Sequence, residues 1–192
     1  MIFIFDIDDT LLPTSKLPFL QNINNLYQSA LNPITRNNAS LNLAELYQQN
    51  ISYDVKLVSL LDKLNGKKYI ITNASRVHAI LSLKNQGILD KFNGIIDANS
   101  VSSLKPNIEP YFKSLQMLSP EDKFQNIIFM DDIIQNLLIP KKLGWITYHI
   151  YGDAPKSNTT WVDYNFKTIY QALNYTIDNL SKLDTRSRRN LK

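Results

Sequence analysis

The chain has 192 residues, a formal net charge of +4 at pH 7, no cysteine and two histidines. The lack of cysteine excludes disulfides, thiolate metal sites and a cysteine nucleophile, and two histidines are too few for a histidine-rich metal site. A bound metal would therefore need oxygen ligands, which favours Mg²⁺.

The length fits one domain, with room for a small inserted subdomain. The apolar start, residues 1–5, is too short for a signal peptide, and no stretch approaches the ~20 apolar residues of a membrane helix. We therefore expect a cytosolic protein without a membrane partner. Residues 184–192 carry much of the positive charge. We expect them to form a disordered basic tail rather than a nucleic-acid contact, and no pattern indicates the oligomeric state.

Short apolar runs alternate with amphipathic stretches along most of the chain. The apolar runs predict buried strands at residues 2–5, 69–72, 94–97, 127–130 and 146–150. The amphipathic stretches predict helices at residues 77–86, 109–118, 135–143 and 161–183. The fold class that follows is α/β, with a Rossmann-like, doubly wound parallel sheet.

Residues 13–65 break this alternation. Three helices are predicted there, at residues 18–31, 43–49 and 53–64, with no strand between them. We therefore predict an α/β core formed by residues 1–12 and 66–192, and a short helical cap at residues 13–65. Substrate specificity would then come from cap residues such as Tyr27, Arg36 or Tyr47, because lids and loops commonly carry such contacts. For each of the three taken singly, a packing or surface role is the favoured alternative.

Three acids follow the first predicted strand, in the segment Asp6-Ile7-Asp8-Asp9-Thr10. The carboxyl ends of parallel strands form the ligand crevice of an α/β sheet, and a divalent cation would relieve the repulsion between Asp6 and Asp8. An EF-hand calcium loop is excluded, because Leu11 and Leu17 stand where glycine and glutamate are required. A helix N-cap and a glycosidase carboxylate pair both stay open at this point.

Three further polar signatures end or follow predicted strands. Thr72-Asn73 offers a hydroxyl and an amide that can bind phosphate oxygens, although a helix cap is the alternative. Lys105, followed by Pro106, could place an ammonium against a phosphoryl group or an acidic nucleophile. Asp131-Asp132 follows an apolar run, where metal ligation explains adjacent acids better than surface charge does.

The order acid pair, hydroxyl, lysine, acid pair resembles the four motifs of the haloacid dehalogenase-like superfamily, over residues 2 to about 152. Within it, the chain is similar to the branch of pyrimidine 5'-nucleotidases and related nucleotide phosphatases. The residues that carry this narrower resemblance are Thr72-Asn73-Ala74, His78-Ala79, Gly87-Ile88, Phe92-Asn93-Gly94, Lys105-Pro106 and Phe129-Met130-Asp131-Asp132 with Asn136.

The resemblance implies an Mg²⁺-dependent phosphatase that acts on small phosphomonoesters. Asp6 would attack phosphorus and form an aspartyl-phosphate, and Asp8 would act as general acid and then as general base. Thr72 and Asn73 would bind the phosphoryl oxygens, and Lys105 would offset negative charge on the nucleophile and the phosphate.

The resemblance also implies a metal site. Mg²⁺ would be held by Asp6, by the backbone carbonyl of Asp8 and by Asp132, with Asp131 near or within the shell. Ile133 departs from the family pattern, which usually has a small polar residue after the acidic pair, and so leaves open which of the two acids is the main ligand.

The partner expected from the resemblance is a small phosphorylated metabolite or a nucleotide, with nucleoside 5'-monophosphates the first to try. A cap shorter than usual in this branch would leave the site more open to other phosphate esters. Asp8 argues against a dehalogenase, which does not need that acid. A phosphomutase and a phosphate-binding or regulatory module with little turnover remain as alternatives.

Overall fold

The computed structural model describes residues 1–22 and 36–186, with side chains described for residues 1–20, 43–123 and 125–184. One six-stranded sheet, parallel throughout, forms its centre, in the strand order β3-β2-β1-β4-β5-β6. The strands are Ile2–Phe5 (β1), Lys67–Ile71 (β2), Gly94–Ile96 (β3), Ile127–Asp131 (β4), Ile146–Ile150 (β5) and Tyr164–Phe166 (β6). The predicted Rossmann-like α/β fold is confirmed.

Helices cover both faces of this sheet. The α-helices in the described residues are Arg36–Asn50 (α1), Val55–Lys63 (α2), Arg76–Asn85 (α3), Glu109–Gln116 (α4), Leu138–Lys142 (α5) and Ile169–Arg186 (α6). Side chains of α2, α3 and α6 share one apolar cluster with Phe3 and Phe5, whereas side chains of α4 and α5 share a second cluster with Ile2 and Ile4. Within the described ranges, no helix has the length and the apolar character needed to cross a membrane.

Strand β1 has no polar face, because it is buried on both sides. Its four side chains are fully buried and alternate between the two clusters, as the period-2 geometry of a strand requires. Both neighbours are parallel to it, and Phe5 lies beside Ile70 of β2 and Met130 of β4. This register brings the residues that follow β1, β2 and β4 to one edge of the sheet.

The five predicted strands are all present, and β6 was missed. The segment 161–183 was predicted to be helical throughout, but Tyr164–Phe166 is a strand and the helix begins at Ile169. The rings of Tyr164 and Phe166 pack on Tyr148 of β5, with ring centroids 5.2 and 5.0 Å away. The strand therefore depends on a contact with β5 and not on a local pattern.

The predicted helix at residues 135–143 is also only partly correct. Ile134–Leu137 forms a 3-10 turn, and the α-helix is limited to Leu138–Lys142. Pro140 explains this, because its ring nitrogen cannot donate a hydrogen bond and is tolerated only in the first turn of an α-helix.

Two helices lie in the described part of the predicted cap. Helix α1 begins at Arg36, earlier than the predicted residue 43, and a 3-10 turn at Pro18–Asn22 replaces the start of the first predicted helix. The rest of that predicted helix, residues 23–31, lies outside the described residues. The cap assignment stays a prediction. Side chains of both α1 and α2 lie in the larger apolar cluster with Phe3 and Phe5, and α2 also packs against α6.

At the other end of the chain, α6 includes residues 184–186, and the basic tail at residues 184–192 stays a prediction. Residues 187–192 lie outside the described residues.

Replacing Leu57 with alanine tests whether α2 belongs to the core. The Leu57 side chain is fully buried in the larger apolar cluster. Its truncation is expected to lower the free energy of unfolding by about 2–5 kcal/mol, because a cavity would remain. The matched control is Val55→Ala on the same helix, where the side chain is 71% exposed and the expected change is within about 0.5 kcal/mol. Urea unfolding measures both, and equal effects would contradict this role of α2.

Candidate active site

The loop after β1 turns sharply around the carbonyl oxygen of Ile7. The backbone N–H groups of residues 10–12 all donate to this oxygen, at 3.2, 2.8 and 2.9 Å. Asp9 has a φ of +52°, in the left-handed region that few non-glycine residues adopt. A carboxylate oxygen of Asp9 accepts from the N–H of Ser15 at 2.9 Å, which ties the end of the loop to its start. Asp9 therefore stabilises the loop.

A buried ammonium group joins the first and last acidic motifs. Nζ of Lys105 lies 2.7 Å from a carboxylate oxygen of Asp6 and 2.6 Å from one of Asp131. Burial alone would lower the pKa of Lys105, but the carboxylates of Asp131 and Asp6 together outweigh it and raise that pKa. The ammonium is therefore held in its charged form between the two acids.

Asp131 and Asp132 have different surroundings although they are adjacent. Asp131 is fully buried, and besides Lys105 its carboxylate accepts from the Asn136 amide at 2.9 and 3.1 Å and from the N–H of Ile133 at 2.8 Å. Asp132 is half-buried; burial first, and then the nearby Asp131 carboxylate, raises its pKa to about 7. The carboxylate of Asp131 is therefore hydrogen-bonded and paired with an ammonium, whereas Asp132 has no such side-chain partner among the described residues.

A cavity of about 480 Å³ adjoins this loop on the side of β5 and β6. Asp9 and Asp132 line it, together with Lys16 and Lys167. Asp132 thus borders open space that a ligand can reach.

The acids at this edge suit a divalent cation. Carboxylate oxygens of Asp6, Asp131 and Asp132 lie within 4.8 Å of one another. When all are ionised, three carboxylates against the one ammonium of Lys105 leave two uncompensated negative charges. Burial raises the pKa of Asp6 well above its ordinary value. The Lys105 ammonium opposes this shift, and the carboxylates of Asp131 and Asp8 add to it. A hard cation with oxygen ligands would relieve this repulsion, so the donor set fits Mg²⁺.

The structure places Asn73 beside Lys105 and buries the adjacent Thr72. The Thr72 hydroxyl accepts from the N–H of Ala74 at 3.0 Å. The Asn73 amide exchanges two hydrogen bonds with the backbone of Lys105, at 2.8 Å from its N–H and 3.0 Å to its carbonyl. Asn73 therefore fixes the loop that carries Lys105, and its amide nitrogen has a second hydrogen that could donate to a phosphate oxygen without breaking either bond. Phosphate binding by both residues stays a prediction.

A glutamate without a place in the four motifs also holds the Lys105 loop. The Glu109 carboxylate accepts from the N–H and hydroxyl groups of Ser102 and Ser103 at 2.7 to 3.0 Å. These bonds, the Ser102 N–H first, lower the pKa of Glu109 to about 2. Glu109 begins α4, so the helix start and the loop are tied together.

Asp8 has a partner that the motif analysis left without a role. Nε2 of His78 lies 2.8 Å from Oδ1 of Asp8, and Nδ1 of the same ring lies 2.5 Å from the hydroxyl of Tyr47. Tyr47 was a candidate for specificity with packing as the favoured alternative, and its side chain is fully buried and packs against His78. Tyr27 and the side chain of Arg36 lie outside the described residues.

Two other contacts escaped the sequence analysis. Asn136 entered it only as part of a resemblance, yet it holds Asp131, and His149 of β5 lies 3.0 Å from the backbone carbonyl of Asp132. For His78 a local signal exists, because it is the third residue after the N-cap Ser75 of α3, and that helix starts at the same edge of the sheet as the acids.

The comparisons with known proteins agree with this geometry. A family model described as haloacid dehalogenase-like hydrolase matches residues 42–147, more than half of the chain. The chain belongs to the haloacid dehalogenase-like hydrolases. The resemblance to this superfamily is thereby confirmed, whereas the narrower resemblance to the nucleotidase branch stays a prediction. A search of curated sequences found no match.

Solved structures of haloacid dehalogenase-like proteins share the fold at low sequence identity. CbbY from Rhodobacter sphaeroides in complex with phosphate is 14% identical, with a TM-score of 0.65 over 88% of this chain and 95% of that one. The HAD hydrolase YfnB from Bacillus subtilis, bound to magnesium, is 16% identical, with a TM-score of 0.62 over 91% and 97%. L-2-haloacid dehalogenase from Xanthobacter autotrophicus, with chloropropionic acid covalently bound, is 13% identical, with a TM-score of 0.61 over 91% and 97%.

Substituting Glu109 with glutamine tests whether its hydrogen bonds to Ser102 and Ser103 stabilise the protein, because that stabilisation should depend on pH. Because the pKa of Glu109 falls from an ordinary 4.5 to about 2 on folding, its stabilisation is complete above pH 4.5 and is lost as the pH falls towards 2. Wild type is therefore expected to be more stable than Glu109→Gln at pH 7, with a difference that shrinks below pH 4.5. Urea unfolding at pH 7, 4.5 and 3 measures this. The exposed Glu45 on α1, changed to glutamine, is the control, and a difference independent of pH would contradict the assignment.

Proposed function

We propose that this hydrolase cleaves small phosphomonoesters with the help of Mg²⁺, through a phosphorylated Asp6. The observation that carries the proposal is the pair of buried salt bridges that Lys105 forms with Asp6 and Asp131 at the edge of the sheet, with Asp8 two residues after Asp6. A carboxylate held beside an ammonium can approach a phosphate dianion, because the positive charge offsets the repulsion between them.

The chain's own acids supply both steps of the proposed reaction. A carboxylate oxygen of Asp6 attacks phosphorus, the bond from phosphorus to the alcohol oxygen breaks, and the Asp8 carboxyl gives its proton to that oxygen. Asp8 then takes a proton from water as the water oxygen attacks the same phosphorus. The bond between phosphorus and Asp6 breaks, which restores the carboxylate and releases inorganic phosphate.

Lys105, Thr72 and Asn73 bind and orient the phosphoryl group in this proposal. The Lys105 ammonium offsets the charge on the nucleophile, and the Thr72 hydroxyl donates to a phosphoryl oxygen. Asn73 contributes mainly by holding the Lys105 backbone through its two hydrogen bonds.

Asp6, the backbone carbonyl of Asp8 and Asp132 would hold Mg²⁺. The bound cation would stabilise the charge that develops on the phosphoryl oxygens. We assign Asp132 as the direct ligand of the acidic pair, because the Asp131 oxygens are already bonded by Lys105, Asn136 and Ile133. Asp131 would then act by positioning Lys105.

The substrate class is a small phosphorylated metabolite, and nucleoside 5'-monophosphates come first because of the similarity to nucleotide phosphatases. CbbY was solved with phosphate and YfnB with magnesium, which supports a phosphate ester and this cation. L-2-haloacid dehalogenase shares the fold, but dehalogenation gives no role to Asp8. We retain a cap within residues 13–65 as part of the proposal, since it would cover the leaving group.

Asparagine at position 6 is expected to abolish turnover. It keeps the size of Asp6 but is a far poorer nucleophile, so phosphate release from p-nitrophenyl phosphate and a nucleotide panel should fall at least about 10³-fold. Acid-quenched wild type should carry an aspartyl-phosphate that Asp6→Asn lacks. A wild type that binds inorganic phosphate but releases none from any ester would instead identify a phosphate-binding module.

Substitutions of the two adjacent acids, Asp131 and Asp132, are expected to have different effects. Asp132→Asn should raise the Mg²⁺ concentration for half-maximal activity by about tenfold or more, because it removes a metal ligand. Asp131→Asn should lower the free energy of unfolding by on the order of 3 kcal/mol, measured without Mg²⁺, because Lys105 loses a buried partner. Mg²⁺ titrations of activity and urea unfolding separate the two. Identical behaviour of the two variants would contradict the assignment of Asp132 as the direct ligand.

A further inference from the structure

Tyr47, His78 and Asp8 form a hydrogen-bonded chain. His78 lies 2.8 Å from Asp8 through Nε2 and 2.5 Å from the Tyr47 hydroxyl through Nδ1. Tyr47 is fully buried, and only 10% of the His78 side chain is exposed, whereas 38% of the Asp8 side chain is exposed. The three residues come from α1, α3 and the loop after β1, so this series of hydrogen bonds links the inserted segment to the loop that carries Asp8.

The chemistry of these groups determines which atom donates and which accepts in each of the two hydrogen bonds. The Oδ1 atom of an ionised Asp8 only accepts hydrogen bonds, as it does when a proton sits on Oδ2, so Nε2 of His78 is the donor to Oδ1 in both states. In the tautomer whose one N–H is on Nε2, Nδ1 accepts the hydrogen of the Tyr47 hydroxyl. Among the described residues, none donates to the other carboxylate oxygen of Asp8. One oxygen of Asp8 is therefore held, and the second stays available to a reacting group.

We propose that His78, itself held by Tyr47, is a positioning residue that orients the Asp8 carboxylate for proton transfer. This inference rests on the proposed function, in which Asp8 protonates the leaving alcohol. A general acid must lie within hydrogen-bond reach of the oxygen that it protonates, and a misplacement of about 1 Å can cost ~10²-fold in rate. Asp8 lies beyond β1, where the ladder of the sheet no longer holds its backbone, so an outside contact has to fix its side chain.

A purely structural role is the alternative. The Tyr47 ring packs edge-on against His78 and Phe19, at centroid distances of 5.7 and 5.5 Å, so the same residues also join α1 to α3. Loss of packing alone would reduce the amount of folded protein and would affect all substrates equally. Loss of acid positioning would depend on how much protonation the leaving group needs.

Two substitutions of His78 separate its two hydrogen bonds. The amide nitrogen of a glutamine side chain reaches about as far as Nε2 of histidine, so His78→Gln can still donate to Asp8. The shorter amide of His78→Asn corresponds to Nδ1 and reaches only towards Tyr47. Tyr47→Phe keeps the ring and removes the hydroxyl, and Tyr148→Phe is the matched control, since it removes a buried hydroxyl whose partner is Thr176.

The readout is kcat/KM with Mg²⁺ for two esters, because kcat/KM covers the steps up to departure of the alcohol. Glycerol 2-phosphate releases an alkoxide that needs a proton, whereas p-nitrophenyl phosphate releases a stable anion that needs little help. His78→Asn is expected to lose about tenfold or more on the first ester and less than about threefold on the second. His78→Gln should recover most of this loss, Tyr47→Phe should lose about threefold on the first ester, and Tyr148→Phe should match wild type.

The contact itself is tested without turnover by a double-mutant cycle in urea. Asp8→Ala and His78→Asn should be coupled by about threefold or more in the unfolding equilibrium constant. Additive effects would overturn the contact. Equal losses on the two esters, or His78→Gln as impaired as His78→Asn, would overturn the positioning role and leave the proposed function intact. A wild type that hydrolyses neither ester would overturn the proposed function and the positioning role together.

Discussion

The site depends on the burial of one ammonium group between two carboxylates. The side chain of Lys105 is 1% exposed, and that of Asp131 is fully buried. Removing such charges from water costs several kcal/mol for each ion unless they are paired and hydrogen-bonded. The pairing requires β1 and β4 to end at the same level and the Lys105 loop to reach across to them. The register of the sheet and the geometry of the site are therefore one constraint, because a shift in either would leave a buried charge without its partner.

The contact with Lys105 also gives the adjacent acids Asp131 and Asp132 different surroundings. Asp131 is the last residue of β4 and lies in register with His149, so the sheet holds its backbone and Lys105 holds its carboxylate. Asp132 lies beyond the strand, and its burial first, and then the adjacent Asp131 carboxylate, raises its pKa. Sequence alone could not separate the two roles, because both acids follow the same apolar run. What separates them is burial and the partners that the third dimension supplies.

The parts of the fold that the sequence predicts are those with a local cause. An apolar run such as Ile2–Phe5 must be buried on both faces, which places it inside a parallel sheet and places the acids after it at the edge. Strand β6 has no such signal, since three residues are too few for a period and its stability comes from packing on Tyr148. The pairing of Tyr47 with His78 joins residues 31 positions apart, and no local pattern indicates it.

Asp6 and Asp8 are two residues apart but are held by different parts of the molecule. Asp6 is fixed by the sheet, since its N–H donates to Met130 at 2.9 Å and its carboxylate meets Lys105. Asp8 has left the sheet, and its carboxylate is held by His78 on a flanking helix. In the proposed reaction, the phosphate side of the site is therefore built from strand ends, and the leaving-group side from helices. A change at Tyr47 on α1 can therefore reach Asp8 through His78, whereas Lys105 is held at the strand ends by Asp6 and Asp131.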